Sequence, residues 1–147
     1  MKSDWNPEML KAFEMIMKID HTFKKVYDQI GLPKNRTMKK GFQSLAKIII
    51  GQQISTNVAE TIYNKLMIDD VLNENKLLSL SVNDLKKYGL SSQKYFYLKN
   101  LAELIHKKEL NLNTLNKLSS EEINNSLIKI KGVGKWTINN YKIFVLQ

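Results

Sequence analysis

Helix start and stop signals recur along this chain so densely that little room is left for any other secondary structure. Asn6-Pro7 is an N-cap followed by proline at the first helical position, and Met9, Leu10, Phe13, Ile16 and Met17 follow at helical spacing. Asp20 is placed to cap a second helix through Phe23, Val26, Tyr27 and Ile30, which Gly31 and Pro33 close. A basic connector, residues 32–41, leads to a helix lined by Phe42, Leu45, Ile48 and Ile49. Gly51 and Gln52-Gln53-Ile54 interrupt it, and Ser55 caps the next helix, through Val58, Ala59, Ile62, Tyr63 and Leu66. Ser81, with Asp84 as a capping-box variant, opens a helix that ends at Gly89, and Ser91 or Ser92 caps one through Phe96, Leu98, Leu101, Ala102 and Ile105. Ser119 with Glu122 forms a capping box for a helix ending near Ile130, and a last apolar helix runs from Thr137 through Tyr141, Phe144 and Val145 into Gln147 without a stop signal. Strand signals are weak, since no Asn-Gly or Asp-Gly turn occurs. The expectation is an all-α fold of about seven or eight helices, forming a single domain over residues 1–147.

Charge narrows the partner. The chain carries 23 Lys and Arg against 14 Asp and Glu, a net charge of +9, which favours polyanions because each neutralised phosphate releases counterions. No apolar run approaches the ~18 residues of a spanning helix, and no block of like charge reads as a polybasic tail. A membrane partner is therefore not expected. The start, MKSDWNPEML, has no apolar stretch of the kind a secretory signal needs, and the absence of cysteine agrees with a reducing compartment, so a cytoplasmic protein is expected. The same absence excludes a Cys nucleophile or Cys-based zinc within these residues. His21 and His106 lack metal-site spacing and read as surface residues.

One segment carries chemistry. In LIKIKGVGKWTI, residues 127–138, Gly132 and Gly134 flank one apolar residue between two amphipathic helices. Glycine lets the chain turn tightly and lets backbone N–H groups approach a partner with no Cβ in the way. Together with the positive end of the following helix, those groups form a pocket for a phosphate oxygen, with Lys129, Lys131, Lys135 and Lys142 around it. The bland alternative is a helix connection in which the glycines serve only the turn.

The segment IKGVGKWT, residues 130–137, resembles the helix-hairpin-helix of the DNA glycosylase superfamily named for that hairpin and for a Gly/Pro-rich loop ending in Asp. Two further stretches resemble the same superfamily. GFQSLAKIIIGQQISTNVAETIYNKL, residues 41–66, is similar to its DNA-facing helix-loop-helix, and GLSSQKYFYLKNLA, residues 89–102, to its Gly-Leu-Ser…Lys helix start. The Gly-aliphatic-Gly-x-Trp-Thr form most resembles the 3-methyladenine DNA glycosylase II branch. The resemblance implies an all-α helical bundle and, for function, a base-excision DNA repair protein: a monofunctional alkylbase DNA N-glycosylase that hydrolyses the N-glycosidic bond of alkylated purines such as 3-methyladenine. It assigns backbone binding to Gly132, Val133, Gly134, Lys135 and Thr137, and the base pocket to Trp136 and Asn140. A residue inserted into the gap left by the flipped nucleotide maps to Gln53, where the alternative is a capping turn with solvent-facing glutamines. It further implies a monovalent cation held by the carbonyls of Ile128, Ile130 and Val133, no other cofactor, and a monomer acting on duplex DNA containing alkylated bases.

Trp136 discriminates among relatives. Bifunctional glycosylases place a Lys there as a Schiff-base nucleophile, and a Trp cannot serve that role. It offers instead a flat, electron-rich face for a flipped base, worth about 1–3 kcal/mol in stacking, with more available when alkylation makes the base a cation. The alternative for Trp136 is a core tryptophan packing the hairpin. The family's catalytic Asp, which stabilises positive charge on the sugar, lies beyond the second hairpin helix. Residues 123–147 contain no carboxylate, so no catalytic residue is assigned, and the helices that follow the hairpin in relatives are expected to be missing. Their loss should expose Ile143, Phe144 and Val145. Two departures bear on pocket shape: Ile138 stands where a small residue usually follows Trp-Thr, and Asn140, with Tyr141 beside it, stands where an aromatic is often found. The competing reading is a catalytically silent DNA-binding module that uses the hairpin alone; an RNA-binding helical domain would need all three motif matches to be coincidental.

Overall fold

A computed structural model describes residues 5–146, all of whose regular elements are helical. The run of the last helix into Gln147, and the first four residues of the start segment, lie outside the described residues. By its contacts the chain divides into two compact units, Met1–Arg36 and Thr37–Gln147.

The first unit is a helical hairpin of α1 (Pro7–Ile19) and α2 (His21–Ile30). Asn6 accepts the Met9 N–H at 2.8 Å, and Asp20 ends α1 while accepting the Thr22 and Phe23 N–H groups at the start of α2. One residue thus serves two helix ends, which forces the tight reversal between them. Aromatic rings hold the hairpin: Trp5 meets Phe13 edge-on at 5.4 Å, and Phe13 stacks on Phe23 at 6.0 Å. The Trp5 indole N–H donates to the Pro33 carbonyl at 2.9 Å.

The second unit holds the core. It contains α3 (Phe42–Ile50), α4 (Thr56–Ile68), α5 (Glu74–Ser79), α6 (Val82–Lys86), α7 (Ser92–His106), a 3-10 turn at Leu115–Lys117, α8 (Ser120–Leu127), α9 (Lys135–Tyr141) and a π turn at Lys142–Leu146. Helix α3 is the hub: Leu45, Ala46, Ile49 and Ile50 are fully buried, and α3 packs on α4, α7 and α9. Leu98, Leu101 and Ala102 of α7 and Leu127 of α8 complete the same apolar interior.

The expected caps at Ser55, Ser81, Ser91 and Ser119 are all made, and both the Ser81–Asp84 and Ser119–Glu122 pairs close as capping boxes. Helix α5 is not anticipated by the sequence reading. Its cap, Asn73, is a normal signal, but six residues leave too few turns for a helical period to register. Helix α8 ends at Leu127, not near Ile130, because the chain tightens there: Ile130 N–H bonds the Leu127 carbonyl at 3.2 Å and Val133 N–H the Ile130 carbonyl at 3.1 Å. Helix α9 starts two residues before Thr137.

The C-terminal turn is better held than expected. Val145 is buried and Phe144 half-buried, while Ile143 alone of the three is exposed. The Phe144 carbonyl accepts the Met38 N–H at 2.7 Å, which ties this turn to the segment before α3. The Tyr141 hydroxyl beneath it is buried without a well-formed hydrogen bond; burial raises its pKa, and the nearby Gly41 backbone offsets only part of that rise.

Candidate nucleic-acid interface

Between α8 and α9 the backbone changes direction at Gly132, whose φ of +76° is left-handed. A Cβ there would also stand 2.1 Å from the Tyr97 ring, so glycine is required twice over at this position. Gly134 differs. Its φ of −111° and ψ of −175° suit any residue, and a Cβ built on it meets nothing within 4 Å. Nothing among the described residues explains that glycine.

Gly134 is also the N-cap of α9, and it supplies no side-chain acceptor. The first intrahelical bond is Ile138 N–H to the Gly134 carbonyl at 3.0 Å, which leaves the N–H groups of Lys135, Trp136 and Thr137 as the orphan donors of the helix start. Lys129, Lys131 and Lys135 are exposed around this end, and none takes part in an ion pair among the described residues. Lys142 is turned elsewhere: its ammonium donates to the Ser120 carbonyl at 3.0 Å and hydroxyl at 2.7 Å, so it braces α8 and does not surround the hairpin tip.

The predicted backbone-binding residues divide into two groups. Gly132, Gly134 and Lys135 are exposed; Val133 and Thr137 are buried. The Val133 side chain points into the core and its N–H is already bonded to Ile130, while the Thr137 hydroxyl accepts a hydrogen bond from the Gln52 amide. Of these two residues only the Thr137 backbone N–H can face a phosphate. Of the three carbonyl residues implied for a cation, the Ile130 carbonyl already accepts the Val133 N–H, Ile130 is buried, and Ile128 is exposed. No cluster of His, Cys, Asp or Glu suited to a metal occurs among the described residues.

Trp136 is the second residue of α9 and is 61% exposed, which removes the core-packing alternative. Asn140, one turn later, donates its amide N–H to the Trp136 carbonyl at 2.9 Å, so that nitrogen is committed to the helix backbone. Gln53 sits in the turn after α3, exposed, with a left-handed φ of +58°. Such a conformation is uncommon for a residue other than glycine and holds an outward side chain at the tip of the turn.

Four residues that the sequence reading left without a role hold the hairpin in place. Gln52 donates from its amide to the Gly132 carbonyl at 3.0 Å and to the Thr137 hydroxyl at 2.9 Å. From α7, Asn100 accepts the Lys131 N–H at 2.8 Å, Tyr97 lies against Gly132, and Gln93 donates to the Tyr97 hydroxyl at 2.7 Å. Gln93, Tyr97 and Asn100 fall at i, i+4 and i+7, one stripe of α7 beside its apolar stripe, and that spacing was the available signal. Lys94, in the same motif, donates to the Ile50 carbonyl at 2.6 Å and so caps the end of α3; partial burial lowers its pKa.

Residues 46–143 match the family described as HhH-GPD superfamily base excision DNA repair protein. The chain is 30% identical over 111 residues to the alkylbase DNA glycosidase-like protein mag2 of Schizosaccharomyces pombe, covering 71% of this chain and 52% of that protein. It is 27% identical to DNA-3-methyladenine glycosylase 1 of the same organism, covering 95% of this chain and 64% of the relative. Among solved structures, the 3-methyladenine DNA-glycosylase of Archaeoglobus fulgidus superposes with a TM-score of 0.74 at 28% identity, over 96% of this chain and 51% of that one. The chain therefore spans roughly half to two-thirds of the length of the proteins it is similar to.

Proposed function

The chain belongs to the HhH-GPD superfamily of base excision DNA repair proteins, and on that footing we propose that it serves as an alkylbase DNA N-glycosylase. In this reading the hairpin grips the phosphate backbone, Gln53 enters the gap left by a flipped nucleotide, and Trp136 stacks on the alkylated purine. The observation that carries the reading is Gly134. It is a glycine that no contact among the described residues explains, placed at a helix start without a side-chain cap beside three exposed lysines. A phosphate oxygen on the Lys135, Trp136 and Thr137 N–H groups supplies the missing reason, since a side chain at 134 would stand between them and the DNA.

Trp136 supports the alkylated-base specificity. An exposed indole next to the backbone grip presents its face to a base rotated out of the duplex, and a base bearing positive charge gains from the ring quadrupole. The reaction proposed is hydrolysis: the bond from C1′ to the base nitrogen breaks, the cationic base leaves neutral with the electron pair, and water adds to C1′ and gives up one proton to solvent. The carbonyls of Ile128, Ile130 and Val133 are neutral oxygen donors of the kind a hard monovalent cation takes, with Ile130 sharing its oxygen with Val133 N–H.

One observation favours a second reading, a binding module without chemistry. Residues 123–147 offer no carboxylate to stabilise charge on the sugar. The test for both is one experiment with two readouts: binding of this polypeptide to duplex DNA, and release of 3-methyladenine from alkylated DNA. Binding with release supports the glycosylase for these residues alone; binding without release supports the module; absence of binding contradicts both.

A further inference from the structure

Gln52 and Gln53 are neighbours in sequence and face opposite ways. Gln53 is exposed at the tip of the turn, whereas the Gln52 side chain reaches back to the hairpin, 80 residues away in sequence at Gly132. The Gly132 carbonyl can only accept, so the Gln52 amide nitrogen must be the group that faces it, and the same nitrogen donates to Thr137 Oγ1 at 2.9 Å. Both bonds land on the phosphate-gripping element: one at the left-handed glycine that turns it, the other in the first turn of α9.

The turn is fixed at its other side as well. The Gln52 N–H bonds the Ile49 carbonyl at 3.2 Å, Lys94 caps the Ile50 carbonyl, and Ser55 starts α4 by accepting the Val58 N–H. Gln53 is thus held in a left-handed conformation between the anchored Gln52 and the helix cap at Ser55, a strained residue fixed by the turn on either side of it. Removing the Gln52 amide would release one of those anchors and leave the buried Thr137 hydroxyl without its donor.

We propose that Gln52 is the positioning residue that sets the turn bearing Gln53 at a fixed distance from the hairpin, so that backbone grip and gap insertion act as one unit. This rests on the reading of Gln53 and the hairpin given above. Gln52 itself touches no DNA in this account; it acts through its neighbours.

The test compares a duplex containing one tetrahydrofuran abasic analogue with the same duplex intact, by fluorescence anisotropy at one salt concentration. The ratio of the two affinities cancels any loss of folded protein. The wild-type chain should prefer the gapped duplex, and Gln53→Ala should lose that preference. Gln52→Ala should lower the ratio by about tenfold, the size of one or two lost hydrogen bonds, and the double variant should be no worse than Gln53→Ala alone. An unchanged ratio in Gln52→Ala, or additive losses in the double variant, would overturn the coupling. A wild-type chain that binds duplex with no preference for the gap would overturn it too, with the grip still standing. Failure to bind either duplex would remove the proposed function itself.

Discussion

The α-carbon of Gly132 lies against the ring of Tyr97 so closely that a Cβ there would stand 2.1 Å from the ring, while Gly134, two residues on, has open space around it. The two glycines of the motif therefore have different causes, and substitution should separate them. Gly132→Ala combines a left-handed backbone with a ring clash and should destabilise the protein by roughly 2–4 kcal/mol. Gly134→Ala should leave stability within about 0.5 kcal/mol. Urea unfolding of the two variants checks this, and equal losses would contradict it.

Trp136 should behave as a ligand-facing residue and not as a packing one. With most of its surface exposed, Trp136→Ala should unfold at nearly the wild-type temperature. Its affinity for a duplex containing 7-methylguanine should drop by about 1–3 kcal/mol relative to the unmodified duplex. A large fall in melting temperature would return Trp136 to the core.

Acid should loosen the start of α8 and of α6. The Glu122 and Asp84 carboxyls sit below their ordinary pKa because the Ser119 and Ser81 side chains and backbone N–H groups hydrogen-bond the ionised form. A lowered folded-state pKa means the unfolded chain takes up protons first as pH falls. The stabilisation is thus complete above the ordinary carboxylate range, about pH 4, and is lost as pH drops through the folded-state values. Glu122→Gln should show a shallower loss of stability between about pH 5 and 3 than wild type; an identical pH profile would show that the cap does not couple to protonation.

Release of a damaged base separates grip from chemistry. With no acid after Glu122, release of 3-methyladenine from methylated DNA by the 147-residue polypeptide divides the two readings, since the glycosylase requires it and the binding module forbids it. Chromatographic detection of the free base above the uncatalysed rate would show that an upstream carboxylate fills the role.

Much of the scaffold was readable because helix caps are local. Asn6, Asp20, Ser55, Ser81, Ser91 and Ser119 each act within a few residues of themselves, so their chemistry is visible in the sequence. The hairpin was legible for the same reason, since two glycines and a following helix define it locally. What the sequence hid was long-range. Gln52 meets Thr137 across 85 residues and Asn100 meets Lys131 across 31, and no periodicity announces such a pair. Helix α5 escaped for a different reason, being too short to show a period. Lys142 lies close to the hairpin lysines in sequence, yet its place on α9's continuation aims it at Ser120.

If the open face of Gly134 meets a DNA phosphate, the affinity of Gly134→Val for duplex DNA across a salt series must change. The extended backbone at 134 suits any residue and a Cβ there meets no neighbour within 4 Å, so the variant should fold, with a small loss from valine's poorer fit at a helix cap. Binding should weaken by about tenfold or more on duplexes of unrelated sequence, with a smaller dependence on salt than wild type shows. A folded Gly134→Val protein that binds duplex DNA as tightly, and with the same salt dependence, as the wild type would contradict it.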